Sequence, residues 1–148
     1  LVAAGLHIQL GDAGKAAEHI AAAETRKPDV ARLAEARCAF AARFDPTRAV
    51  AACEAATRAP FAEPAAWMFL GIAHDHAGST ELADAAFRYA IGLAASPDVT
   101  LVYNYGVFLL RHRRFDEAAA VLERAAELAP VRDDIARALA DARAGGVH

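Results

Sequence analysis

The chain has 148 residues, with 16 Lys and Arg against 19 Asp and Glu and a net charge of −3. No basic field draws it to nucleic acid or to an anionic membrane. Hydrophobic residues make up 56%, and 42 residues are alanine, the strongest helix former. With only 9 Gly, 6 Pro and few β-branched residues, this composition excludes a β-rich fold and disorder, and the length supports a real core in one domain.

In chain order, Leu1 already falls inside a helical pattern; the sequence does not start with Met and shows no signal-peptide pattern. This reads as a fragment or a processed product. Gly11-Asp12-Ala13 marks a turn, after which Ala16, Ile20 and Ala23 share a helical face and Pro28 closes the segment. Leu33, Ala36, Arg37, Phe40 and Phe44 form the next helix, and Asp45-Pro46 reads as an N-cap with a first-turn proline. In the helix that follows, Arg48 or Ala49, and Ala52 or Cys53, compete for the buried positions. A further helix runs from about Pro64 to Ala77. Gly78 breaks it, and Ser79 or Thr80 caps a partner carrying Leu82, Ala83, Ala86, Phe87, Ala90 and Ile91 on one face. The next pair covers Asp98 to about His112, and Phe115 to Ala129 with Ala118, Val121, Leu122, Ala125 and Leu128 on one side. Beyond Pro130, Asp133 or Asp134 opens a last helix with Ile135, Leu139 and a Gly145-Gly146 stop.

Two further features bound the class. The most apolar run, Val99 to Leu110, contains Asn104 and is shorter than the ~20 residues that span a bilayer, so it reads as a core helix. Cys38 and Cys53 are too few for a disulfide framework. Both lie in Ala-rich helical stretches, where a thiol usually acts as a small buried hydrophobe; a bridge or a reactive thiol is the alternative.

The helix pairs repeat. A step of 35 residues carries Gly71 to Gly106, Ala83 to Ala118, Phe87 to Leu122 and Ala90 to Ala125, and Pro60 and Pro130 stand two steps apart, with Pro97 closing the segment between them. This pattern resembles the tetratricopeptide repeat family, a helix–turn–helix unit of about 34 residues. Trp67, Leu70, Gly71, Ala83 and Phe87 match its pattern in place. His74 stands where Tyr is usual, and Gly106, Ala118, Ala125 and Pro130 continue the match. The resemblance implies an all-α solenoid, a right-handed superhelix of about three and a half repeats plus a C-terminal capping helix. The single domain 1–148 divides into units at about 1–28 (truncated), 29–63, 64–98 and 99–132, with a terminal helix at 133–145. Stacked units make one continuous core.

The same resemblance places the first helix of each pair along a groove that binds a peptide or protein segment. The groove positions would be Met68, Ile72, Asp75 and His76 in the third unit and Tyr103, Asn104, Val107, Leu110 and Arg111 in the fourth, with Arg37 and Phe40 from the second. Such a mixed apolar and polar surface suits a segment anchored by its side chains. Asn104 stands where the family often bonds a ligand backbone; local bonding is the alternative. No Lys lies on any groove helix, which argues against the family's clamp for acidic C-termini. His74 and His76 point about 200° apart on a helix and lack further ligands, so no metal and no cofactor are expected. Arg111-His112-Arg113-Arg114 compensates a helix C-terminus or touches an acidic partner. No nucleophile–base pair is visible, so the chain reads as non-catalytic.

The leading reading is an interaction scaffold for a protein or peptide, with no nucleic acid and no membrane insertion. The alternatives are a regulatory or substrate-presenting arm of a larger enzyme of glycosyltransferase, sulfotransferase or hydroxylase type, and a self-association module using exposed repeat ends, with an apolar face at Leu1, Leu6 and Ile20. Arg-over-Lys, Ala-rich usage suggests a bacterial source, and two isolated thiols suit the cytoplasm, with the periplasm open.

Overall fold

The computed structural model describes residues 1–26 and 29–146. Among them are α1 (Val2–Gln9), α2 (Ala13–Glu24), α3 (Val30–Phe44), α4 (Pro46–Thr57), α5 (Pro64–His76), α6 (Thr80–Leu93), α7 (Val99–Arg111), α8 (Phe115–Leu128) and α9 (Asp133–Gly145), with no strand. Pro28, the expected end of the first unit, lies outside the described residues. The helices group into two compact units, one from Leu1 to Leu93 holding α1 to α6, the other from Ala94 onward holding α7 to α9.

Local chemistry sets the helix ends. Asp12, Asp29 and Asp98 precede their helices, and each side chain accepts backbone N–H groups of the first turn, at 3.1 Å from Lys15, 3.0 Å from Ala31 and 2.9 Å from Leu101. Pro46 and Pro64 occupy first-turn positions, where a missing N–H costs nothing. The links α1–α2, α5–α6 and α7–α8 each turn on a residue of positive φ: Gly11 (78°), Gly78 (78°) and Arg113 (60°). Glycine takes this conformation freely; arginine does so against a steric cost. The α3–α4 link has no such residue. Asp45 alone ends α3 and opens α4, and its carboxylate accepts the Thr47 hydroxyl at 2.6 Å.

Each hairpin buries one close approach. In α2, α4, α6 and α8 the inward side chains recur at the same spacing: Ala16 and Ile20, then Ala49, Cys53 and Ala56, then Ala83, Phe87 and Ala90, then Ala118, Leu122 and Ala125. All are 7% exposed or less, so Ala49 and Cys53, not Arg48 and Ala52, take the buried positions of the second hairpin. The large member faces a small residue on the partner helix. A Cβ added at Gly71 would lie 2.9 Å from the Phe87 ring, and one at Gly106 would lie 2.6 Å from Leu122. In the first hairpin Ala4 shares a buried cluster with Ile20 and Leu33. These pairs stand sixteen residues apart.

The second hairpin departs from this rule. Its counterparts are Cys38 and Cys53, joined as a disulfide with a Cα–Cα distance of 4.4 Å and a sequence separation of 15. The expectation of two buried thiols is therefore corrected. Both residues are fully buried, but the close approach that takes Gly with Phe elsewhere here brings two sulfurs into bonding range. The single-residue link at Asp45 makes the hairpin one residue shorter, which hides this pairing from a fixed repeat step.

One other expectation changes. Ile20 is not part of an exposed end face: it is 7% exposed, packed with Ala4 and Leu33, because α2 packs against both α1 and α3. The last helix ends at the Gly145-Gly146 pair, with the bounds 133–145 read from the sequence. Gly145 is the last helical residue of α9, where any Cβ would overlap the Phe115 ring, and Gly146 caps the helix. No helix of the described residues is long and apolar enough to cross a membrane.

Candidate partner-binding surface

The first helices of the pairs carry the sequence-predicted binding residues, and their exposure follows from what packs behind them. On α7, Leu101, Val102, Tyr105, Gly106, Phe108 and Leu109 are buried. Tyr103, Asn104, Val107 and Leu110 are half-buried and Arg111 is exposed. The latter set follows the spacing of a single helical stripe. Within it, Asn104 Nδ2 donates to the Thr100 carbonyl one turn back at 2.8 Å. The Tyr103 ring lies under the Arg132 guanidinium, 5.1 Å from its centroid, a cation–π arrangement. Arg132 also donates from Nε and Nη2 to the Asp134 carboxylate. That pairing holds Asp134 below the usual carboxylate range and raises Arg132.

In the other unit, α5 presents Ile72 and Asp75 half-buried and His76 exposed, while Met68 is only 6% exposed. The helix that carries them, α5, packs against α3, α4 and α6. His74 is also buried, in agreement with its assignment to a core position. On α3, Phe40 is half-buried against Phe44, with ring centroids 5.2 Å apart. Arg37 is exposed and bonds the Glu24 carboxylate of α2 at 2.6 and 3.0 Å. Phe69 is half-buried, packed against two core clusters, and the Trp67 ring lies 4.3 Å from that of Tyr89 on α6.

The basic run after α7 is absorbed mostly by local contacts. His112 packs on Phe108 at 4.7 Å, Arg113 lies over Phe115 at 5.8 Å, and Arg114 bonds Glu117 through both carboxylate oxygens at 2.7 and 2.6 Å. Among the described residues, no three His, Cys, Asp or Glu side chains gather as a metal site.

Sequence reasoning missed one exposed feature. Phe61, in the link between α4 and α5, has φ 59° and is 95% exposed. A bulky residue in the left-handed region is uncommon. The available signal was an aromatic residue directly after Pro60, in a link where polar residues are usual. On α3, Glu35 is half-buried; burial, with the nearby Glu63 carboxylate adding to it, raises its carboxyl above the usual range.

Comparison with known proteins fits this geometry. Residues 99–132, which cover α7 and α8, match the model of the tetratricopeptide repeat family. The chain is also similar in structure to a thermophilic TPR protein of Thermus thermophilus, known from a crystal structure. The TM-score is 0.79 and the identity 19%, over 95% of this chain and 78% of that one. The fold is that of a tetratricopeptide repeat protein. No curated protein matches the chain. TPR units serve in general as non-catalytic scaffolds for protein interaction.

Proposed function

We propose that this TPR chain is a non-catalytic scaffold that binds a peptide or protein segment along the surface of its first helices. The observation that carries this reading is the α7 stripe. Tyr103, Val107 and Leu110 keep apolar area in reach of solvent beside Asn104 and Arg111, on a helix whose other side is fully packed. Apolar anchors next to hydrogen-bonding groups are what an inserted segment needs for affinity and for orientation. Met68, Ile72, Asp75 and His76 on α5, and Arg37 and Phe40 on α3, would be the counterpart positions. Selection from a displayed peptide library tests the proposal. The expected result is a binder whose affinity falls at least about tenfold, roughly 1.4 kcal/mol, in a Tyr103→Ala/Asn104→Ala/Arg111→Ala variant with an unchanged helical circular-dichroism spectrum. Failure to enrich any peptide, or binders indifferent to the triple variant, would overturn it.

A second reading, self-association, is favoured by α1. Val2, Leu6 and Leu10 are 87%, 53% and 70% exposed at i, i+4, i+8 spacing, an uncovered apolar stripe. Light scattering over a concentration series tests it: association abolished by Leu6→Glu supports it, and a monomer at every concentration refutes it.

A further inference from the structure

The Cys38–Cys53 bond has no part in the binding surface, yet it stands at a defined place in the repeat. We infer that it is an oxidative lock on the second hairpin: α3 and α4 hold their native packing at full stability only once a disulfide oxidant has joined them, and the working chain belongs to an oxidising compartment. The first observation is positional. The close approach in the other hairpins is filled by Ile20, Phe87 or Leu122 against Ala4, Gly71 or Gly106. In the second hairpin both facing residues are small, and the covalent bond takes the place of the missing apolar bulk. The second observation is burial. Both cysteines are fully buried, in the cluster where α3, α4 and α5 meet, and Cys38 Sγ lies 4.0 Å from the Ala66 carbonyl of α5.

The chemistry is ordinary thiol–disulfide exchange. The Cys38 and Cys53 thiols give up two protons and two electrons. A disulfide, from a small molecule or an oxidoreductase, accepts them and leaves as two thiols, through one mixed disulfide. No reagent reaches either sulfur in the packed hairpin, so exchange in both directions requires α3 and α4 to part. The bond therefore closes as the hairpin folds, and afterwards it resists reductant. Structural bonds of this kind persist in oxidising compartments and are rare in a reducing cytosol.

The test uses the full chain, denatured and reduced, then refolded in parallel with oxidised glutathione and with dithiothreitol. The oxidised arm is expected to show no free thiol in denaturant and two after reduction. Its Tm should exceed that of the reduced arm by on the order of 10 °C, as for a closed loop of this length. Amide exchange in the reduced arm should quicken in α3 and α4 while α7 and α8 keep their rates; a reduced chain that does not fold supports the lock equally. A Cys38→Ala/Cys53→Ala variant should behave alike in both arms, which excludes a general effect of the redox buffer. Two free thiols in the oxidised arm, equal Tm in the two arms, or uniform acceleration of exchange would overturn the lock. Two free thiols in chain alkylated directly in its native cells would overturn the compartment.

Discussion

The α3–α4 and α7–α8 hairpins solve one packing problem with different chemistry. In α7–α8 the contact is Gly106 against Leu122, with Ala118 and Ala125 on either side, all buried. The fit is steric and reversible, and a single link residue of positive φ, Arg113, lets the chain turn. In α3–α4 the contact is a disulfide, and Asp45 makes the turn without a left-handed residue. The lesson is that the same place in the hairpin can be closed by different chemistry: a large side chain over a glycine in one, a covalent bond between two small residues in the other.

The largest expected effect comes from emptying a steric hairpin, which has no covalent support. Phe87 is 1% exposed and lies on Gly71, so Phe87→Ala should cost about 3–5 kcal/mol in denaturant unfolding. A loss below about 1 kcal/mol would break the comparison, because the aromatic filler would then be dispensable. Overfilling comes next. Gly71→Leu or Ala118→Leu should cost roughly 1–3 kcal/mol or more, since even a Cβ at Gly71 meets the Phe87 ring at 2.9 Å and Ala118 is fully buried. An unchanged Tm in either variant would refute the packing assignment.

Smaller changes sharpen the comparison near the stapled hairpin. Phe61→Gly should stabilise the chain by up to about 1 kcal/mol, because glycine adopts the 59° φ without a clash; a lower Tm would mean that the ring makes contacts that matter. Glu35→Gln should give the smallest effect, and a pH-dependent one. Glu35 has its folded pKa raised by burial and by Glu63, so the folded state holds the proton more tightly than the unfolded chain. Its contribution is fully present below the usual glutamate value and is lost as pH rises through the raised one. Stability measured from pH 4 to 7 should fall less steeply in Glu35→Gln than in the parent. An identical slope would show that Glu35 does not titrate differently on folding.

Much of the architecture was legible because its punctuation is chemical. Pro64, Gly78, Asp98 and Pro130 bracket helices that the sequence bounds to within a residue or two, and the 35-residue step from Gly71 to Gly106 carried the register through the last two hairpins. The second hairpin was not legible in the same way. Its one-residue deficit at Asp45 shifts Cys38 and Cys53 out of step, and in an Ala-rich helix Arg48, Ala49, Ala52 and Cys53 all fit some face. Two cysteines 15 residues apart therefore gave no sign that they face each other. At the candidate surface, spacing alone separated the α7 stripe from its core side. It did not register that Met68 is buried, nor that Arg132, 29 positions on, covers the Tyr103 ring, because both depend on tertiary packing.

The equivalence of Cys38–Cys53 with Gly106–Leu122 is tested most directly by a double-mutant cycle under reducing conditions, using Cys38→Gly, Cys53→Leu and the pair. Each single change leaves either a void or an overfilled contact, whereas the pair restores the steric solution seen in α7–α8. The expected result is a double variant more stable than the sum of the two single effects allows, by about 1 kcal/mol or more, with a cooperative transition. Strictly additive effects, with no coupling between positions 38 and 53, would contradict the view that one place in the hairpin is filled by two interchangeable chemistries.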